Sequence, residues 1–158
     1  MSTLGGVCAA VLTPLTQNFE PDPEKAIAYY GRLLEGGCDA LNVLGTSGEA
    51  MSLSVQQRRA YMHALVDGGL PVARMMVGTG AAALADAIKL TKAAGECAFA
   101  AALVMPPFYY KNPSDDGVLA YFDQLLNATG PRPGSIYLYN FPQASGTTFT
   151  AGLIDKLM

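Results

Sequence analysis

Five short apolar runs, each followed by a helical pattern, constrain this 158-residue chain more than any other feature. The runs are Gly6–Leu12, Ala40–Leu44, Ala73–Val77, Ala100–Met105 and Ser135–Tyr139. Their apolar character is continuous, as in strands of a parallel sheet covered on both faces. Between the first two, Asp22-Pro23 supplies an N-cap and a proline for the first helical position. The helix that follows carries Ile27, Tyr30, Leu33 and Leu34 on one stripe and closes at Gly36-Gly37. Ser54-Val55-Gln56-Gln57 reads as a capping box, opening a helix that ends near Gly68-Gly69. A third helix follows Gly78-Thr79-Gly80 and runs to about Ala94. Ser114 caps a fourth, with Leu119, Phe122, Leu125 and Leu126, and Thr150 caps a fifth that reaches Met158.

Crossovers between parallel strands are right-handed, so five β-α units lay their strands side by side in chain order. A doubly wound sheet would carry a glycine fingerprint after its first strand, where this chain has Thr13-Pro14-Leu15. The pattern therefore predicts an α/β (β/α)8 TIM barrel, whose eight units take ~250 residues. Residues 1–158 are expected to be the N-terminal part of a single barrel domain, about the first five units. The remaining units would lie outside the chain, leaving strands one and five as open edges. Composition points the same way. Only 15% of residues are charged and 51% are hydrophobic, against about 25% charged in an average soluble chain. Such a surplus of apolar surface calls for subunit contacts or further covering structure.

The net charge of −3 brings no basic patch, which argues against nucleic acid as a partner. Every apolar stretch is broken well short of the ~20 residues of a membrane span, and Met1–Gly5 lacks the features of a signal peptide. Cys8, Cys38 and Cys97 have no Cys-x-x-Cys spacing. They read as reduced, buried thiols of a cytoplasmic protein with neither disulfide framework nor zinc site.

Chemistry concentrates where two of the runs stop. Gly45-Thr46-Ser47-Gly48-Glu49 follows the second run and Tyr139-Asn140-Phe141-Pro142 closes the fifth. Two glycines around two hydroxyls let backbone N–H groups and short O–H donors converge on one small anion. Tyr139 brings a group that both donates and accepts. In a parallel α/β fold both clusters open on the face that carries active sites. Plainer readings stand beside these. Gly-Thr-Ser-Gly also suits a tight turn, Glu49 suits bonding to loop backbone, and Tyr109 suits a core aromatic at a strand end. Tyr137 and Tyr139 share one side of their strand, so alternation does not choose between them. Gly78-Thr79-Gly80 alone is weak evidence for a phosphate grip. His63, the only histidine, falls mid-helix, away from either cluster.

Four motifs in order, Leu44-Gly45-Thr46-Ser47-Gly48-Glu49-Ala50, Gly78-Thr79-Gly80, Pro107-Phe108-Tyr109-Tyr110 and Tyr137-Leu138-Tyr139-Asn140-Phe141-Pro142, resemble the dihydrodipicolinate synthase / N-acetylneuraminate lyase family of class I aldolases. The resemblance extends over essentially the whole chain. It implies an enzyme in which a 2-oxo acid, usually pyruvate, forms a Schiff base with a barrel lysine, without metal or cofactor. Gly45, Thr46 and Ser47 would bind the substrate carboxylate, and Tyr139 would be the general acid/base. Thr46 would link Tyr139 to Tyr110, which in this family reaches into a neighbouring subunit of a homo-oligomer, a tetramer. The iminium acts as an electron sink, opening carbon–carbon bond cleavage or formation.

Two departures refine the expectation. Members that make dihydrodipicolinate carry an arginine after the Tyr-Asn-x-Pro motif, and Ala144 occupies that place here. An alanine offers no bidentate contact to a carboxylate. The resemblance therefore leans to lyases of sugar acids, such as N-acetylneuraminate or 2-keto-3-deoxy sugar acids, over a 4-hydroxy-tetrahydrodipicolinate synthase; a hydratase-aldolase of aromatic substrates is a further branch. The Schiff-base lysine of the family would lie at the end of strand six, past Met158. Lys25, Lys89, Lys92 and Lys156 fall on helices and Lys111 on a loop, where solvation keeps an ammonium protonated. Residues 1–158 alone are thus expected to bind pyruvate poorly and to catalyse nothing. Two other classes fit the fold: a phosphate-binding isomerase, and a non-catalytic half-barrel serving as a binding or structural module.

Overall fold

The computed structural model describes residues 4–130 and 135–157; the expected domain limits at 1 and 158 lie outside them. Five parallel strands, β1 (Cys8–Ala10), β2 (Ala40–Val43), β3 (Met75–Gly78), β4 (Ala101–Val104) and β5 (Ser135–Leu138), lie side by side in chain order. No strand order reverses, so the switch point of a doubly wound sheet is missing from the described residues. Four long helices alternate with the strands: α1 (Pro23–Glu35), α2 (Val55–Asp67), α3 (Leu84–Glu96) and α4 (Asp115–Thr129). Two shorter ones, α5 (Pro142–Ser145) and α6 (Ala151–Leu157), follow β5. Successive helices α1, α2, α3, α4 and α6 pack against one another, which places them on one side of the sheet. This is the arrangement of a barrel wall with helices outside.

The helix ends follow the sequence closely. Asp22 accepts from the Lys25 amide at 3.1 Å, with Pro23 in the first turn. Ser54 and Gln57 complete the capping box reciprocally, at 3.2 and 2.8 Å. Ser114 and Thr150 each accept an amide at 3.2 Å from three residues on. The core lies between sheet and helices. Leu41, Val43, Met75, Val77, Ala102 and Val104 meet Tyr30, Tyr61, Met62, Leu65, Leu90, Phe122 and Leu125, all buried. Asn42 and Met76 are only half-buried, on the opposite face of the sheet.

Three expectations need correction. The first strand is shorter than Gly6–Leu12 and is not covered on both faces, for Cys8 and Ala10 are exposed. It pairs with β2 alone, and Val7, Leu12 and Phe19 beside it are 63%, 59% and 78% exposed. For the same reason the thiols are not uniformly buried: Cys8 is exposed, Cys38 half-buried and Cys97 buried. The third strand starts at Met75 and not at Ala73, because Val72–Arg74 form a 3-10 turn. Arg74 holds that turn by donating to the carbonyls of Asp39 and Cys38 at 3.0 and 2.7 Å.

One contact between strand ends positions the loops above it. Leu44, buried and just past β2, adopts φ 52, a left-handed conformation that costs a bulky residue on the order of 1–3 kcal/mol. Its carbonyl lies so close to Gly78 that a Cβ there would stand 2.0 Å from the oxygen. Gly78→Ala should therefore destabilise the protein by about 1–3 kcal/mol, the usual cost of overpacking. Gly31→Ala, where a Cβ meets nothing within 4 Å in mid-helix, should be neutral or stabilising in the same urea titration. Equal midpoints for the two variants would contradict the contact.

Buried phenols give the fold an alkaline limit. Burial holds Tyr30 well above its ordinary pKa and pushes Tyr61 and Tyr121 up to about 12. In an unfolded chain these phenols ionise near ~10, so above that pH the unfolded state has shed protons that the folded state keeps. Stability then falls as pH rises. The Arg58 guanidinium, pushed down to about 10 by burial, works in the opposite direction but is one group against three. Unfolding free energy should be level up to about pH 9 and decline above about pH 10. A urea midpoint that stayed constant from about pH 9 to about pH 11.5 would contradict this.

Candidate active site

The loop after β2 is built to present backbone. Gly45–Gly48 runs between Leu44 at φ 52 and Glu49 at φ 50, two left-handed residues that fold the segment back on itself. Turn bonds close it, from the Glu49 amide to the Thr46 carbonyl at 3.1 Å and from the Ala50 amide to the Gly45 carbonyl at 3.4 Å. Thr13, after β1, donates to the Gly48 carbonyl at 2.7 Å and ties the loop to the neighbouring strand. Glu49 makes no capping bond with its side chain and is exposed, so the expected backbone bonding by its carboxylate is not seen.

A cavity of about 200 Å3 opens beside this loop at the C-terminal ends of β2 to β5. Its polar side chains are Thr46, Glu49, Ser52 and Tyr139, beside Gly45; Met51, Leu103, Met105 and Phe108 supply an apolar wall. The hydroxyls of Thr46 and Tyr139 lie 3.2 Å apart, across 93 residues of sequence. Tyr139 reaches this position because its amide bonds to the Val104 carbonyl at 2.9 Å, carrying the strand alignment one residue past β5. Phe141 stacks beside its ring at 5.7 Å between centroids. Tyr137, which alternation left equivalent, pairs with Leu103 in the sheet and does not line the cavity.

The other expected residues are placed less centrally. Ser47 is exposed next to Thr46 and is not part of the cavity wall. Tyr110 is 83% exposed on the loop after β4 and makes no contact with Thr46 within one chain. Tyr109 is not the core aromatic expected of it: it is 70% exposed and packs edge-on against Tyr110 at 5.1 Å. An aromatic pair so exposed is an apolar surface without a cover. Lys111 lies on the same loop, exposed, donating from Nζ to the Ala144 carbonyl at 3.1 Å. Ala144 itself lines the cavity.

Gly78-Thr79-Gly80 is not a phosphate grip. The Thr79 hydroxyl is fully buried and accepts from Thr91 at 2.8 Å. Both glycine carbonyls are occupied by Arg58, whose Nη2 donates to Gly78 at 2.8 Å and Nη1 to Gly80 at 3.0 Å. A helix-borne arginine in this role is not expected from the sequence, where Arg58 sits beside Arg59 in a weakly patterned helix. His63 is exposed on α2 with Nδ1 3.5 Å from the Cys97 Sγ, remote from the cavity. Among the described residues no group of three or more His, Cys, Asp or Glu side chains could hold a metal ion. None of the described helices is long and apolar enough to cross a membrane.

Comparison with known proteins agrees with this geometry. The model of the Dihydrodipicolinate synthetase family matches residues 3–158. An uncharacterised DapA-like lyase of Chloroflexus aurantiacus is 40% identical over 156 residues, which make up 97% of this chain and 51% of that protein. The crystal structure of dihydrodipicolinate synthase from Agrobacterium tumefaciens superposes with a TM-score of 0.91 at 30% identity, covering 96% of this chain and 53% of the other. A variant of 2-keto-3-deoxygluconate aldolase from Sulfolobus solfataricus, solved as its pyruvate complex, gives 0.83 at 27% identity over 96% of this chain and 50% of the other. The chain thus spans about half the length of the relatives it matches, as five units of a (β/α)8 barrel. It belongs to the dihydrodipicolinate synthetase family.

Proposed function

We propose that the whole protein is an aldolase-type lyase that forms a Schiff base between a lysine and a 2-oxo acid such as pyruvate. The observation that carries this reading is the 3.2 Å contact of the Thr46 and Tyr139 hydroxyls at the wall of a cavity beside the Gly45–Gly48 loop. Gly45, Thr46 and Ser47 hold the substrate carboxylate, and Tyr139 moves a proton at the carbon–carbon bond that is made or broken. A phenol ionises near ~10 in water, so it needs a hydroxyl partner to relay its proton at neutral pH. Thr46 is that partner. Tyr110, exposed and stacked only on Tyr109, extends the relay from a neighbouring copy in a homo-oligomer. The lysine lies outside residues 1–158: Lys111 is exposed, bonded to the Ala144 carbonyl, and not part of the cavity wall.

The second substrate is an aldehyde, and the cleaved compound a sugar acid of the N-acetylneuraminate or 2-keto-3-deoxy type. Ala144 at the cavity wall supports this, since the site there offers a methyl group and no cation aimed inward. The pyruvate-bound 2-keto-3-deoxygluconate aldolase among the structural neighbours is consistent with it. The protein works without cofactor or metal, in the cytoplasm.

Tyr139→Phe in the full-length protein should lower turnover by roughly 10²–10⁴-fold, the range for an acid/base group, with its fold intact by circular dichroism. Ser47→Ala should mainly raise the KM for the 2-oxo acid. Wild-type turnover in Tyr139→Phe would remove this residue from the mechanism, and an unaltered KM in Ser47→Ala would remove the carboxylate role.

A further inference from the structure

Arg58 is a cation buried without a counterion. It is 2% exposed, and no carboxylate pairs with it among the described residues. Removing a guanidinium from water is expensive unless hydrogen bonds replace the lost hydration. Two do so here, to the carbonyls of Gly78 and Gly80 at 2.8 and 3.0 Å, while Nε is buried and unpartnered. Both glycines line the cavity and Arg58 does not. Their carbonyls are therefore engaged by a side chain of α2 that is not part of the cavity wall.

Glycine is required at both positions. A Cβ at Gly78 would strike the Leu44 carbonyl, and one at Gly80 would lie 2.9 Å from the Met105 Cβ. Glycine is also the residue whose peptide planes turn most freely. The Gly78–Thr79 peptide is held a second time by the Thr79 amide, which donates to the Leu103 carbonyl at 3.0 Å, so the Gly80 carbonyl is the one that depends on Arg58. A site that binds a carboxylate through the amides and hydroxyls of Gly45–Ser47 would be weakened by that oxygen swinging toward it. We propose that Arg58 is a positioning residue: its planar fork, anchored on the Gly78 carbonyl, holds the Gly80 carbonyl out of the cavity and so favours binding of a carboxylate there. This rests on the reading of the cavity as a 2-oxo-acid site. Lysine cannot replace the fork, because an ammonium is a point donor without the fixed two-pronged geometry.

The test uses the full-length protein with Arg58→Met and Arg58→Lys. Borohydride trapping is titrated with pyruvate and, in parallel, with methyl pyruvate, which has the same ketone and no charge. Both variants should need about tenfold more pyruvate for half-maximal adduct, a shift of one decade in affinity. Their methyl pyruvate curves should move by less than roughly threefold, since the ester carries no charge for the carbonyl to repel. Equal shifts for both compounds would mean general loosening of the site and overturn the proposal. So would unchanged curves, or a Lys variant that matches wild type while the Met variant fails, which would make charge alone the agent. If Arg58→Met does not fold, the Lys variant answers the question by itself. A wild type that traps pyruvate while both variants match it sinks this inference alone. A wild type that traps nothing sinks the 2-oxo-acid reading and the inference together.

Discussion

The ends of β2 and β3 meet where the Leu44 carbonyl rests on the Cα of Gly78, and the site is assembled on that contact. A side chain at position 78 would push the strands apart, and Leu44 would lose the support for its left-handed backbone. That backbone turns the chain sharply into Gly45–Gly48, so the segment does not continue the strand. Thr13, just after β1, holds the same loop by donating to the Gly48 carbonyl. Arg58 then fixes the far side of Gly78. Strain at one residue is thus held by packing on three sides, as expected where a backbone must present itself to a ligand.

The sheet supplies the rest of the geometry. Parallel strands in unbroken order bring the ends of β2, β3, β4 and β5 to one rim, so residues far apart in sequence become neighbours. Thr46 and Tyr139 are the clearest case, for their hydroxyls meet although nothing local joins them. The helices stay on one side and leave Asn42 and Met76 half-buried on the other. Neither β1 nor β5 pairs with a further strand among the described residues. Val7, Leu12 and Phe19 along the first edge and Tyr109 and Tyr110 at the rim are apolar groups that further structure or another copy would bury.

Much of this was legible in the sequence because local chemistry and global fold agree. Asp22, Ser54, Ser114 and Thr150 cap helices as their residue types predict, and the apolar runs mark strands to within a few residues. The exposed first strand was not legible, since an apolar run reads the same whether or not a partner covers it. The 3-10 turn at Val72–Arg74 depends on Arg74 reaching two carbonyls more than thirty residues away, which no local pattern encodes. Tyr139 and Tyr137 were equivalent by alternation; the extra ladder bond from Tyr139 to Val104 separates them. Arg58 carried no reading of its own, because burial of a guanidinium against carbonyls has no periodic signature. The glycines it grips were visible, and their purpose was not.

The central claim is that this chain contributes one wall of a Schiff-base site whose lysine stands elsewhere in the protein. Intact mass of the full-length protein after incubation with pyruvate and borohydride tests it most directly, followed by peptide mapping of the modified residue. The account predicts one pyruvate adduct per chain, on a lysine outside residues 1–158, formed equally well in Lys111→Met. No adduct, or an adduct on Lys111, would contradict it.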